Sequence, residues 1–381
     1  MRVALLGYGT VGKAVRRICE TPGLGLGVAA ILRRPGKCDE PCMTDSFDEI
    51  VADEGIDAVV EAMGGIEPAR TCILAALAAG KHVVTANKAV VAEHIDEFVA
   101  AARRTGAGLY LEACVGGGIP WLANLERVAR VDAVSSFSGI LNGTSNYILD
   151  RMAAEGAAFD DVLADAQRLG YAEADPSADI DGYDVRNKAV ISACVAFGCR
   201  CRTDVPTLGV RRLTLPVMRE AARLGYAVKL MAHGRCDGGA YAVAVMPTLV
   251  PAGSVEAAVP GNFNVATLAG ATIGELKFYG QGAGGDPTGN AVVQDLLDCA
   301  SGLPRAYRLD RALAWDESLL ESRALAVTSA GDALPPRAEQ VAEGVWEIPC
   351  VTPSAAVEID GTLRERDGGA FVALVAPGAE R

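Results

Sequence analysis

The opening twelve residues, MRVALLGYGTVG, constrain the fold of this chain more than any other stretch. Val3–Leu6 reads as a strand. Gly7, Tyr8, Gly9, Thr10, Val11 and Gly12 follow, and an amphipathic stretch then runs to about Cys19. This is G-x-G-x-x-G between a strand and a helix. Gly7 permits a tight turn, Gly9 lets the backbone approach a pyrophosphate, and Gly12 lets helix pack closely on strand. The helix N-terminus then presents its unpaired N–H groups to the phosphates. Alone the motif is weak evidence, but after an opening strand it predicts a dinucleotide-binding unit. Gly7 to Gly12 are its candidate cofactor contacts.

The next elements extend that unit. A second strand is expected over Val28–Leu32, followed by Arg33 and Arg34 where an NAD-preferring site would carry Asp or Glu. Arginine suits a ribose 2′-phosphate, which favours NADP over NAD; the alternative is two solvated charges. A third strand over Ile56–Glu61 leads to Ala62-Met63-Gly64-Gly65, and a helix follows over about Glu67–Ala79. His82 to Lys88 reads as a strand entering a polar turn, which places Asn87 and Lys88, like Met63 and Gly64, at a strand's carboxyl end, where open α/β sheets bind ligands. A helix over about Ile95–Arg104 and a strand over Gly108–Ala113 precede CVGGGIP. Three successive glycines favour neither helix nor strand. They suit a loop that turns carbonyls toward a ligand or ion, or a plain crossover.

From about residue 135 the regular alternation stops. Ser135–Ile140 is strand-like, and Leu141-Asn-Gly143-Thr144 enters a helix. Phe159–Leu169 is helical, and so is Pro216–Leu224. Strands are expected over Val228–Gly234 and Tyr241–Pro247. This mixture predicts an α+β second domain. Within it, Gly170–Lys188 (GYAEADPSADIDGYDVRNK) holds five carboxylates: Glu173, Asp175, Asp179, Asp181 and Asp184. The apolar AVISACVAF that follows predicts a buried helix from near Asp181 to Gly198. Asp184 and Lys188 share a face of its first turns. They form either a carboxylate–ammonium pair at the mouth of a buried helix or a solvated surface pair. Residues 280–297, a glycine-rich turn and an apolar helix, are expected to return to the first domain near the cofactor. Beyond about 306 the chain shows a helix over about Arg337–Ala342 and strand-like pieces at Val345–Val351, Ala355–Ile359 and Phe371–Ala376.

Composition limits the partners. Half of the 381 residues are hydrophobic and the formal net charge is -13. That acidity disfavours nucleic acid and anionic membrane surfaces. Apolar runs fall short of the roughly 18–20 residues that span a bilayer. The N-terminus makes better sense as a first strand than as a signal peptide, so a cytoplasmic location is expected. Eleven scattered cysteines suggest reduced, mostly buried thiols rather than a disulfide framework.

Taken in order, GYGTVG (7–12), Met63-Gly64-Gly65, TANK (85–88), EACVGGGIP (112–120), GILNGTSNYIL (139–149), the acidic stretch (170–188) and GQGAGGDPTGNAVVQDLL (280–297) resemble the homoserine dehydrogenase family over about residues 1–305. The resemblance implies an α/β fold. Its N-terminal Rossmann dinucleotide-binding domain (1–134, completed by about 282–305) precedes an α+β substrate and dimerisation domain (135–281). A small C-terminal extension (306–381) resembles at most a divergent or truncated ACT-like regulatory region. The implied reaction is NAD(P)-linked interconversion of L-homoserine and L-aspartate 4-semialdehyde, on the route to threonine, methionine and isoleucine. Implied cofactor contacts are the first glycine loop, Arg33, Arg34, Met63, Gly64, Asn87, Lys88 and Gly284. Gly143, Thr144, Tyr171, Glu173, Asp179, Asp184 and Lys188 are the implied substrate residues. Lys188 is the implied acid–base group, with Lys88 as a cationic neighbour. A monovalent cation, typically sodium, is implied at Glu112, Val115, Gly117 and Ile119, and a homodimer through the second domain.

The substrate's chemistry fits these residue types. Its ammonium needs carboxylates, supplied by Glu173 and Asp184 with Asp179 orienting their neighbours. Its carboxylate needs N–H groups such as those at the Gly143–Thr144 helix start. Gln281 departs from the arginine many members carry in the late glycine turn. Two rival readings are an NAD(P)-linked oxidoreductase acting on a different amino-acid aldehyde or amino acid, and a non-catalytic dinucleotide sensor. The two lysines and the acidic loop argue against the sensor.

Overall fold

Residues 1–305 and 307–376 are described from a computed structural model. The chain divides into two compact units. The first comprises Met1–Arg130, Cys194–Cys201 and Gln281–Arg311; the second comprises Val131–Ala193, Arg202–Gly280 and Ala312–Arg381.

In the first unit the chain runs β1 (Arg2–Leu6), α1 (Thr10–Cys19), β2 (Gly27–Leu32), β3 (Met43–Thr44), α2 (Phe47–Ala52), β4 (Ala58–Glu61), α3 (Ala69–Ala78), β5 (His82–Thr85), α4 (Lys88–Thr105), β6 (Leu109–Tyr110) and α5 (Trp121–Val128). Its strands are all parallel, in the order β3-β2-β1-β4-β5-β6. Parallel strands covered on both faces read as continuous apolar runs. Val3–Leu6 of β1 and all of β4 are buried accordingly. The order reverses direction at β1, between β2 and β4. The crevice outside the carboxyl ends of β1 and β4 is therefore this sheet's ligand position.

Three expectations here need correction. α4 begins at Lys88, a turn and more before the expected Ile95, because the Asn87 side chain caps it by accepting from the Val90 N–H at 3.4 Å. A non-helical residue, His94, interrupts the helix and breaks its periodicity. The strand expected over Gly108–Ala113 is confined to Leu109–Tyr110, and Glu112–Cys114 turns as a short 3-10 helix. The sequence reading also missed α5, whose first turn is held by the Glu112 carboxylate.

The second unit begins with β7 (Val134–Ile140), α6 (Gly143–Glu155), α7 (Phe159–Arg168), α8 (Ser177–Ile180), α9 (Tyr183–Phe197) and α10 (Leu215–Arg223). Strands β8 (Tyr226–Asp237), β9 (Ala240–Pro251), β10 (Phe263–Gly270) and β11 (Gly274–Gln281) follow. Sequence reading missed β10 and β11. Next comes α11 (Gly285–Ala300), within the first unit, then β12 (Ala314–Trp315), β13 (Ser322–Val327), β14 (Glu339–Ala342), β15 (Val345–Val351), α12 (Pro353–Arg366) and β16 (Phe371–Val375). The second sheet runs β11-β10-β7-β8-β9-β16-β13-β15-β14, with β12 beside β9.

Two tail assignments are reversed. The helix expected over Arg337–Ala342 is strand β14, paired with β15. The strand expected over Ala355–Ile359 lies inside α12, whose start is set by Pro353 in the first turn and by Thr352, which accepts from the Ala355 N–H at 3.3 Å. The tail joins the second unit's sheet directly, since β16 lies parallel to β9 with Leu374 opposite Thr248. Buried Ala324, Ala326, Ile348, Val372 and Leu374 share one apolar cluster with Ala244 and Met246 of β9.

Candidate active site

In the first unit, the turn after β1 is shaped by close backbone contacts. A Cβ on Gly7, where φ is +99°, would lie 2.6 Å from the Ala62 carbonyl oxygen. A Cβ on Gly12 would lie 2.3 Å from the carbonyl oxygen of Gly7. A Cβ on Gly9 would meet nothing within 4 Å. Gly7 and Gly12 thus let β1, the turn and α1 pack together, whereas Gly9 leaves space in front of the helix. Gly9 is also the N-cap of α1 and supplies no side-chain acceptor to its first turn. α11 starts in the same way from Gly284, again without a side-chain cap. The two starts are adjacent: a Cβ on Gly285 would be 2.9 Å from Cγ2 of Thr10. Two neighbouring helix N-termini beside open space suit an anionic pyrophosphate, so these residues fit a dinucleotide.

The corner of this crevice at Tyr8 carries charge. The guanidinium of Arg33 lies 5.5 Å from the centre of the Tyr8 ring, and that of Arg16 lies 5.7 Å from it. Arg16 also donates to the Tyr8 hydroxyl at 3.0 Å. Arg34 is exposed in the turn that follows.

Beneath the crevice, Glu61 organises two turns at once. Fully buried at the end of β4, it accepts from the Thr85 hydroxyl at 2.6 Å, the Met63 N–H at 2.8 Å and the Asn87 amide at 3.4 Å. Asn87 also donates to the Gly65 carbonyl at 2.7 Å. This ties the Met63-Gly64 turn to the TANK turn and sets Lys88 as the first residue of α4. Burial pushes the Glu61 carboxyl up, and its hydrogen bonds oppose that.

The glycine loop 115–118 belongs to the same unit. Gly118 donates its N–H to the Gln281 carbonyl at 3.1 Å, and a Cβ on Gly117 would meet the Gly282 backbone at 2.6 Å. Glu112, before the loop, spends its carboxylate on the Leu122 and Ala123 N–H groups at 2.9 and 2.6 Å. Its own N–H goes to Asp295 at 3.0 Å. Burial pushes the Glu112 carboxyl up to about 7. With that carboxylate committed, a cation at Glu112, Val115, Gly117 and Ile119 would rest on carbonyl oxygens. Among the described residues no cluster of three or more His, Cys, Asp or Glu is arranged to hold a metal ion.

In the second unit, Gly182 (φ +86°) separates the one-turn α8 from α9, so the acidic stretch is partly helical. Asp184 and Lys188 are one turn apart on α9, and their ion pair measures 2.7 Å. Both side chains are only 7% exposed, which rules out the solvated surface pair. Lys188 also donates to the Leu141 carbonyl at 2.6 Å. In this unit, sequence reasoning missed Asn142. Its amide donates to Asp179 at 2.6 Å and to Asp184 at 2.9 Å, and its oxygen caps α6 through the Ser145 N–H at 2.8 Å. One side chain thus joins two carboxylates to a helix start. The only available signal was an N-cap residue before Gly143-Thr144.

The remaining expected residues surround this cluster less closely. Thr144 donates its hydroxyl to the Tyr171 carbonyl at 2.6 Å, and Tyr171 packs edge-on to Tyr147 with ring centres 5.1 Å apart. Gly143 is pressed against Asn262, whose carbonyl oxygen would be 2.7 Å from a Cβ. Glu173 is exposed, and its carbonyl accepts from Gln167 at 3.0 Å. Burial pushes the Asp179 carboxyl up, while Asn142 pulls it back. Asp184, expected as an ammonium ligand, already holds Lys188 and Asn142.

The chain matches the family model "Homoserine dehydrogenase" over residues 120–297 and the model "Homoserine dehydrogenase, NAD binding domain" over residues 7–112. It is 43% identical over 315 residues to the homoserine dehydrogenase of Synechocystis sp., covering 78% of this chain and 73% of that protein. A crystal structure of a homoserine dehydrogenase from Thiobacillus denitrificans superposes with a TM-score of 0.85 at 32% identity, covering 99% of this chain and 98% of the other. A hyperthermophilic archaeal homoserine dehydrogenase in complex with NADPH gives 0.69 at 26% identity, covering 80% and 98%. The glycine crevice and the buried lysine–carboxylate cluster thus occur in a chain that belongs to the homoserine dehydrogenase family, an NAD(P)-dependent oxidoreductase interconverting L-homoserine and L-aspartate 4-semialdehyde.

Proposed function

We propose that Lys188 is the acid–base group of this reaction, and the observation that carries the reading is its buried pairing with Asp184. An ammonium has three N–H donors. Two are directed at Asp184 and the Leu141 carbonyl, which fixes the direction of the third. The bound dinucleotide supplies or accepts the hydride. In aldehyde reduction Lys188 gives its proton to the oxygen; in alcohol oxidation the neutral amine takes the hydroxyl proton. Positioned acid–base help of this kind contributes roughly 10²–10⁴-fold. Asp184 orients Lys188, and Asn142 holds Asp184 and Asp179 in place. Glu173, with Asp179, receives the substrate ammonium, and the Gly143–Thr144 helix start receives its carboxylate. Tyr171 closes one side of the substrate position. Lys88 polarises the carbonyl or bridges cofactor and substrate.

NADP is the favoured dinucleotide in this reading, through Arg33 and Arg34; Gly7 to Gly12, Met63, Gly64, Asn87 and Gly284 line its path. The carbonyl oxygens of Glu112, Val115, Gly117 and Ile119 would hold a monovalent cation. The enzyme acts as a homodimer through the second unit, in the cytoplasm. Among the described residues no helix is long and apolar enough to cross a membrane. The test is absorbance at the nicotinamide band, with L-homoserine and either NADP or NAD, with and without sodium. Faster reduction of NADP supports the arginine reading, and equal rates demote both arginines to surface charge. A rate unmoved by sodium removes the cation.

A further inference from the structure

The cationic corner at Tyr8 contains its own counter-charge. The Glu40 carboxylate lies 2.8 Å from the Arg16 guanidinium, in the segment that follows β2. Arg16 is the same group that donates to the Tyr8 hydroxyl, and Arg33 lies over the Tyr8 ring. Glu20 adds a second, longer contact to Arg16 at 3.3 Å, one helical turn away on α1. Tyr8 stands inside the glycine turn itself, so this corner is continuous with the dinucleotide crevice. The Arg16 side chain is 24% exposed, which leaves it within reach of a ligand. Glu40 is 42% exposed, so it can swing off Arg16 without breaking a packed core.

We infer that Glu40 is a specificity-determining residue, a built-in anion that competes with the adenosine 2′-phosphate for Arg16 and Arg33 and so holds the NADP preference down. The inference rests on the proposed reading of Arg33 as a 2′-phosphate contact. A 2′-phosphate is doubly charged near neutrality, and like charges repel across a solvent-exposed corner over roughly a Debye length of 8 Å. An unphosphorylated ribose presents hydroxyl donors, which a carboxylate accepts. One residue therefore opposes NADP and tolerates NAD. This makes the dinucleotide preference a balance of two arginines against Glu40, not a property of the arginines alone.

The test is calorimetric binding of adenosine 2′,5′-bisphosphate and adenosine 5′-monophosphate to the full chain and to Glu40→Gln, with KM for NADP and NAD as a second readout. Removing the charge should tighten the bisphosphate about three- to tenfold, with the monophosphate unchanged or weaker. The KM ratio should move the same way. A general structural role would move both mononucleotides together. Glu40→Ala should reproduce the direction. A bisphosphate-to-monophosphate ratio that stays constant or falls overturns the inference. Arg33→Ser tests the reading beneath it. If that variant keeps the wild-type ratio, the arginine assignment fails; if it loses the ratio while Glu40→Gln leaves it unmoved, only the role of Glu40 fails.

Discussion

The two units solve recognition with different materials. In the first, the crevice is made of backbone: glycine turns, helix starts without side-chain caps, and carbonyls at close approach. In the second, the proposed working group is a buried side-chain cluster of Lys188, Asp184, Asp179 and Asn142. Backbone suits a phosphate, which needs several N–H groups and close approach. A proton transfer needs one titratable atom fixed in space, which backbone cannot supply. The difference predicts that substitutions in the two regions fail differently, the first in binding and the second in turnover.

The sharpest way to break that contrast is Asp184→Ala. Removing one partner of a buried ion pair strands the other, at a cost of about 3–5 kcal/mol. Urea denaturation should show that loss, and Asp184→Asn should lose less. A variant as stable as the wild type would mean that the pair is solvated after all. The next effect concerns a buried carboxyl beside the glycine loop of the first unit, Glu112. The folded protein holds the Glu112 proton more tightly than an unfolded chain, up to about 7 against 4.5. That contribution is fully present below about pH 4.5 and lost as pH rises to about 7, of order 3 kcal/mol. Glu112→Gln should remove this pH-dependent loss, read as urea midpoints at pH 5 and pH 8.

A smaller effect separates two glycines of one motif. In Gly12→Ala the new methyl meets the Gly7 carbonyl, and overpacking of this kind costs about 1–3 kcal/mol. In Gly9→Ala it meets no protein atom, so the melting temperature should hold while dinucleotide affinity falls. Equal melting losses in both would contradict the assignment of Gly9 to ligand space. The smallest is Asn142→Ala, which deletes a helix cap at about 1 kcal/mol. Turnover should fall further than that loss of stability explains, because Asp179 and Asp184 lose a shared donor.

What was legible in the sequence follows the same division. Gly7, Gly9 and Gly12 reveal themselves because few other residues permit such backbone approach, and the motif is local. The Asp184–Lys188 pair was visible through its one-turn spacing, although whether it was buried depended on packing. Asn142, Glu61 and Asp295 were not visible, since each acts across 20 or more residues on groups the sequence does not mark. The tail failed for a local reason. In α12 the run Ala355–Ile359 is short, apolar but for Glu358, and carries β-branched Val357 and Ile359, while Thr352-Pro353 marks the helix start. Strand β14 was mistaken for helix because its identity depends on pairing with β15.

The most direct test of the account is Lys188→Ala, with kcat for L-homoserine oxidation and the dinucleotide Kd measured on the same preparation. kcat should fall roughly 10²–10⁴-fold while Kd stays within about twofold of the wild type. Near-normal turnover, or a joint loss of turnover and dinucleotide binding, would contradict it.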